Sequence, residues 1–430
     1  MLNKSLNFIG KLGSLWGDTL LTLLLLSCFI LFLGVKSWSN TCFFLLLLPS
    51  LYYIKRSYSY TLQSREKVQL LFIFFAFALP IIATFISQLS RQDWLFRSYD
   101  SPSRFLFSIL IFFYFTYKRI NFSFLLGLTA PLALFITIGN IYFHPEVLLK
   151  WPGRLATSFV DPNTFGTYSL VLTSFCLFHL DTSFKTSKLW FFYQLTGFLV
   201  GLLLIIGSGT RGSWLAIPAV AFIWLFFNRN KINSSFIYIA ITTLIISIVG
   251  SSIFFPQTIE RFLSGINEIS HWLDNTALDS STGLRLSIWK ISWQLFIHQP
   301  FFGYGNQGYV SFLNEPWFSS TATTAAKQIM ICCGPHNELI SSTLRAGLLG
   351  GFSVLGLFLI PSFLFVKNAF SQIPEIARAS QIGLAFIACV AISSISMEVF
   401  HLKYTATFYG LMMAGLAAQI FSHKIEHQSY

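Results

Sequence analysis

Only 10% of the 430 residues are charged while 54% are hydrophobic, and the mean hydropathy is +0.65. A water-soluble domain carries about 25% charged residues, so that class is excluded. The net charge of +12 calls for no nucleic-acid partner, because a membrane protein collects Lys and Arg in its cytoplasmic loops.

Apolar runs recur along the chain, each long enough to cross a hydrocarbon core of about 30 Å. About twelve spans are predicted, centred near Leu25, Leu47, Phe77, Ile111, Leu134, Leu172, Phe198, Val220, Leu244, Val354, Ala388 and Met413. The first, Asp18 to Val35, is long and no small-residue cleavage site follows it, so it reads as a retained helix rather than a signal peptide. The second is short and holds Pro49. With the N-terminus inside, every inner segment carries Lys or Arg, from Lys55 and Arg56 to Lys118 and Arg119, Lys185 and Lys188, and Lys424. The reverse orientation leaves the first turn only Lys36 and the last only Lys403. Both termini are therefore expected inside. Four of the six cysteines, Cys28, Cys42, Cys176 and Cys389, sit in apolar runs as small hydrophobes. Cys332 and Cys333 lack zinc spacing, and no disulfide framework is expected.

The turn after the seventh span reads "IIGSGTRGSWLA" and places Arg211 on the outer side. That charge is either an interfacial arginine reaching the head groups or a chemical group. Between the ninth and tenth spans, residues 255–335 form one long outer region rich in Trp and Phe, which argues for order. In "STGLRLSIWKISWQLFIHQP", Leu284, Ile288, Ile291 and Leu295 recur at helical spacing, with Arg285 and Trp289 on the neighbouring face and Pro300 past the end. Such a helix could also be a plain interfacial anchor. "PFFGYGNQGY" follows, and Gly303 and Gly305 suggest backbone approaching something closely. In "CCGPHNELI", Gly334 is the expected cap, with His336 and Asn337 in the first turn of the tenth span. A helix N-terminus disfavours imidazolium, so a neutral His336 is expected. A structural hydrogen-bonding histidine is the alternative. Asp161 is expected to cap the sixth span. Arg345 is expected to pair with Glu398, read as an acidic residue near the outer end of the eleventh span.

Four segments in order resemble the O-antigen ligase and polymerase family, membrane glycosyltransferases that use polyprenyl-diphosphate-linked glycans. They are "GRLATSFVDPNTFGTY", "SGTRGSWLA", "LRLSIWKISWQLFIHQPFFGYGNQGY" and "PHNELI" followed by "AGLLGG". The resemblance runs from Gly153 to about Gly351; the spans before it match in hydropathy only. It implies an all-α polytopic membrane protein of about 12 transmembrane helices, GT-C-like, with a large, partly helical periplasmic region between helices 9 and 10. Residues 1–152 then hold helices 1–5 and a periplasmic linker, 153–366 the signature region with helices 6–10, and 367–430 helices 11–12 with a cytoplasmic tail.

The implied function is transfer of a glycan from undecaprenyl diphosphate to a hydroxyl of lipid A–core at the periplasmic face of the bacterial inner membrane, with inversion. His336 is the implied base, and Arg211 and Arg285 the cations on the departing diphosphate. Arg154, Asn163, Asn337, Trp289, Gly303 and Gly305 are the implied substrate contacts. No metal or other cofactor is expected, because the arginines take an ion's role. A polymerase of the same family would use the same donor with a lipid-linked glycan as acceptor. A transporter of polysaccharide or lipid carrier is a further alternative; it calls for internal repeats, and none is evident.

Overall fold

Apolar segments away from water must close their backbone hydrogen bonds internally, which in a chain of this composition means helices. The computed structural model describes residues 18–57, 64–229, 242, 253, 256–306, 308–315 and 323–428, and among these no strand occurs. In chain order the helices are α1 (Asp18–Ile30), α2 (Trp38–Ser57), α3 (Ser64–Arg91), α4 (Pro102–Lys118), α5 (Phe122–Phe143), α6 (Glu146–Lys150), α7 (Pro162–Thr186), α8 (Lys188–Gly207) and α9 (Arg211–Asn228). Then come α10 (Pro256–Leu273), α11 (Ser281–His298), α12 (Thr324–Cys333), α13 (Glu338–Asn368), α14 (Pro374–Ser393) and α15 (Lys403–Gln428). Every predicted span centre but one falls in a helix; the one near Leu244 lies outside the described residues. Six described helices are long and apolar enough to cross a membrane.

Two kinds of helix face separate the inside of the bundle from its rim. On α7, Phe165, Tyr168, Leu172 and Phe175 are buried, as are Phe408, Tyr409, Met412, Leu416 and Ile420 on α15. These two helices, with α14, form the centre. On α3 the exposed residues include Phe72, Phe75, Ile82, Phe85 and Leu89, and on α13 Leu355, Leu359, Phe363 and Val366. Exposed apolar stripes at helical spacing suit contact with lipid tails, not water.

The predicted helix at 281–298 is α11, and its expected apolar face is buried: Ile288, Ile291 and Leu295 have no exposure. With Tyr304, Tyr309, Leu313, Ala326, Met330 and Leu344 they make a second, smaller core. Segment 256–335 is thus an ordered unit over its described residues. It packs across the end of the bundle where α9 and α13 begin.

The junction is built on a break in α13. At Ala346 and Gly347 the backbone leaves helical geometry, with Gly347 at φ +63. The carbonyls freed there accept from the passing chain: Tyr304 N donates to Leu344 O at 2.7 Å and Gly305 N to Arg345 O at 2.9 Å. Leu348 N in turn donates to Pro300 O at 2.8 Å. The object that Gly303 approaches is therefore the α13 backbone. A Cβ on Gly303, at φ +63, would press on Leu344 O, and one on Gly347 would collide with the Phe301 carbonyl.

Gly347→Ala combines a left-handed backbone with that collision. It should destabilise by about 2 kcal/mol or more, read as a lower melting temperature in detergent. Gly139→Ala, where an added Cβ meets nothing within 4 Å near the C-terminal end of α5, should be neutral or stabilising. Equal effects of the two would contradict the docking.

Candidate functional site

The end of the bundle where α7, α9 and α13 begin gathers most of the charged residues singled out in the sequence. Asp161 caps α7 as expected: its Oδ1 accepts from Asn163 N at 2.9 Å and Thr164 N at 3.2 Å. That cap presents the Asn163 side chain to Arg154, whose Nη2 donates to Asn163 Oδ1 at 2.9 Å and Thr210 Oγ1 at 3.1 Å. Arg154 Nε donates to Ser208 O at 2.8 Å, and Thr210 Oγ1 donates to Pro162 O at 2.7 Å. The turn is sharp enough that Gly209 sits at φ +61. Arg154, Asn163 and the "SGTR" turn are thereby one hydrogen-bonded unit.

Arg211 is the first residue of α9. Its guanidinium meets Glu268 of α10 side-on, Nη1 to Oε2 and Nη2 to Oε1, both at 2.8 Å. It also donates to Thr282 Oγ1 and Ser264 Oγ at 2.8 Å. Glu268 Oε2 further accepts from Thr282 N at the start of α11. The planar fork of arginine matches a carboxylate in this way, and a phosphate equally well. These hydrogen bonds hold the Glu268 carboxyl down at about 2. Arg211 therefore ties α9 to α10 and α11, a partner the sequence pattern gave no hint of.

His336 stands on a loop rather than in a helix. α13 starts at Glu338 with Asn337 as its N-cap, so the expected register, with Gly334 as cap and His336 and Asn337 in the first turn, is corrected by three residues. Asn337 Oδ1 accepts from Ile340 N at 3.1 Å, and its Nδ2 donates to Ile395 O at 3.0 Å. Its side chain is committed at both ends to backbone. Gly334 has φ +76 and His336 φ +51, two left-handed residues flanking Pro335. Each left-handed non-glycine costs about 1–2 kcal/mol, so surrounding contacts must hold the loop. One is visible: Trp289 Nε1 donates to Pro335 O at 3.3 Å. Arg285 lies one turn before Trp289 on α11. Burial, and then the Arg285 charge, push the His336 imidazole down, with Glu398 and Asp161 pulling the other way. A neutral ring was expected from the helix terminus; burial and Arg285 are the causes found here.

Behind this loop, Glu338 accepts from Phe400 N at 2.7 Å and from Ser342 Oγ at 2.9 Å. Arg345 Nη2 meets Glu398 Oε2 at 2.5 Å, the pair expected from sequence. Glu398 lies in the non-helical stretch after α14, not within that span. Glu338 went unremarked in the sequence because a Glu at a helix start looks ordinary; its near-complete burial sets it apart. Cys332 and Cys333 form a disulfide with each other, correcting the expectation of none. Spacing rules address distant pairs and pass over neighbours.

A cavity of about 740 Å³ opens between α3, α4, α13 and the stretch carrying Glu398. Glu338, Arg345, Glu398, Gly305 and Gly334 line it; Arg154, Arg211, Arg285 and His336 do not. Its other wall comes from Arg91, Arg97 and Asp100, in a part of the chain without motifs. The run "SRQDWLFRSYD" at the end of the third span was the available signal: charge collected at a span's edge.

The Arg211–Glu268 clamp carries a pH signature. A carboxyl held at about 2 in the fold and near 4.5 when unfolded adds stability above 4.5 that is lost as pH falls toward 2. The wild-type melting temperature should drop through that window more steeply than that of Glu268→Gln. A double-mutant cycle with Arg211→Met should return about 0.5–3 kcal/mol of coupling at pH 7. Zero coupling would mean the clamp does not form.

Comparison with known proteins gives two matches. An uncharacterized protein of Haemophilus influenzae is 27% identical over 327 residues, covering 73% of this chain and 76% of the relative. Residues 196–355 match the family model described as O-antigen ligase. The matched stretch holds Arg211, Arg285, Trp289, Gly303, Gly305, His336 and Asn337; Arg154, Asn163 and Glu398 fall outside it. Through this stretch, about a third of its length, the chain is similar to the O-antigen ligase family.

Proposed function

We propose that this chain is a glycosyltransferase that moves a glycan from undecaprenyl diphosphate to a hydroxyl of lipid A–core, at the periplasmic face of the bacterial inner membrane. The observation that carries this reading is the placement of a half-buried His336 on a loop held by Trp289, within reach of the charge of Arg285 one turn earlier on α11. A ring kept neutral by burial and a neighbouring cation is free to accept a proton. A guanidinium nearby suits a leaving group whose charge grows as its bond breaks.

In the proposed step, the acceptor hydroxyl gives its proton to the His336 imidazole as its oxygen bonds to the anomeric carbon. The carbon–oxygen bond to the diphosphate breaks, and its electron pair leaves on the diphosphate. Attack opposite the leaving group inverts the anomeric centre. Arg285 is the first cation for that diphosphate, with Arg154 and Asn163, which are joined by hydrogen bonds to the turn before α9, as further contacts. Arg211 would reach a phosphate by exchanging Glu268 for it, since both anions fit the same fork.

The test is transfer by protein in lipid nanodiscs, with a polyprenyl-diphosphate oligosaccharide as donor. One arm supplies lipid A–core as acceptor; the other supplies a second lipid-linked glycan, the polymerase outcome. His336→Ala should abolish product while leaving the melting temperature in place. Arg285→Gln should lose about 10²–10³ in kcat, the scale for one transition-state donor. Its acid limb in kcat/KM should also move to higher pH, because the charge that holds the imidazole down is gone. Arg211→Ala should lose a similar factor, whereas Glu268→Gln, which frees Arg211, should not. Equal losses in those two would reduce Arg211 to a clamp, and wild-type rates in His336→Ala and Arg285→Gln would end the reading.

A further inference from the structure

We infer that the cavity between α3, α4, α13 and Glu398 is the chamber for the acceptor glycan, where Glu398 Oε1 takes a hydrogen bond from a sugar hydroxyl. The inference rests on the transfer reaction proposed above and assigns its second substrate a place.

Glu398 is the starting point. Its side chain is 8% exposed. One carboxylate oxygen, Oε2, is paired with Arg345. The other, Oε1, is buried and has no hydrogen-bond partner. Native proteins rarely leave a buried carboxylate oxygen unmet, since desolvating it without a donor is costly. This one lies at the wall of a cavity of about 740 Å³, inside the ~300–1,000 Å³ range of small-molecule clefts. Glycine stands beside it for a reason: Gly334 has φ +76, and a Cβ there would collide with Oε1. The backbone thus comes right up to the oxygen.

The chemistry of the walls selects the ligand class. Arg345 already balances the Glu398 charge, and Arg91 and Arg97 line the space together with Glu338 and Asp100, so no net negative charge is left to draw a cation. Among the described residues no three His, Cys, Asp or Glu side chains are grouped to hold a metal ion. What remains is a neutral donor. Sugar hydroxyls supply donors for Oε1 and acceptors for the arginines within one molecule. Apolar residues such as Leu357 and Val354 offer surface for ring C–H faces.

Position ties the chamber to the reaction. Gly334 and Glu338 both line it, and His336 lies between them in sequence on the same loop. The loop's other side is held by Trp289, with Arg285 one turn away. An acceptor in the chamber and a diphosphate beside Arg285 would then approach the imidazole from two sides. Glu398 would be a positioning residue, holding the acceptor and touching neither the anomeric carbon nor the diphosphate.

The test uses full-length protein in nanodiscs and two variants. Glu398→Gln keeps the side chain's size and can still accept from Arg345 through its amide oxygen, but it turns a donor group toward the chamber. Thr84→Trp fills the chamber from α3. Binding is measured by titration with two soluble probes: delipidated core oligosaccharide, and the oligosaccharide released from the polyprenyl diphosphate. The probe that binds identifies the acceptor's source. Each variant should weaken that binding at least tenfold and raise the acceptor KM by a similar factor, with donor KM unchanged and the melting temperature held. Wild-type acceptor binding and KM in both variants would overturn the chamber while leaving glycan transfer intact. A rise in donor KM instead would also overturn it. Glycan binding that depends on Glu398, in a protein that transfers to neither acceptor, would uphold the chamber and reject the transfer reaction.

Discussion

The first two turns of α13 are the joint on which this site hangs. Asn337 caps the helix and reaches Ile395; Glu338 takes the Phe400 amide; Arg345 takes Glu398. Three successive polar contacts fasten one helix start to the stretch between α14 and α15. A few residues later the helix breaks, and its freed carbonyls receive Tyr304 and Gly305. The C-terminal side of the His336 loop is thereby fixed to rigid elements. Removing one partner from such a network leaves its mate buried and unmet, which costs more than the contact itself gains.

The same end of the bundle shows how charges are kept where water is scarce. Arg154 spends its donors on Ser208, Asn163 and Thr210, Arg211 on Glu268, and Arg345 on Glu398. Arg211 meets its carboxylate through two parallel hydrogen bonds, a fork that two oxygens of a phosphate can also fill. These contacts fix the direction in which each guanidinium points.

Much of this was legible in the sequence, for physical reasons specific to each element. Span-length apolar runs and the 3.6-residue spacing of Ile288, Ile291 and Leu295 follow from local rules, and α11 emerged where those rules put it. Asp161 before Pro162 is a local cap, and Arg345 with Glu398 are charges that must find each other in an apolar setting. What was not legible depends on contacts between distant segments. Nothing local tells that Arg211 meets Glu268, that Gly303 leans on a broken helix, or that Arg91 and Glu398 share a cavity. The register at His336 was missed because Gly334 and Asn337 are both credible caps, and tertiary contacts to Ile395 and Phe400 favour the second.

The central claim is that the His336 loop separates two binding places, diphosphate on the Arg285 side and acceptor glycan on the Glu398 side. A cryo-electron microscopy map of the protein with a polyprenyl-diphosphate oligosaccharide bound addresses it most directly. The account predicts diphosphate density within hydrogen-bond reach of Arg285, with the chamber beside Glu398 left open. Diphosphate density inside that chamber, against Arg91 and Arg97, would contradict it.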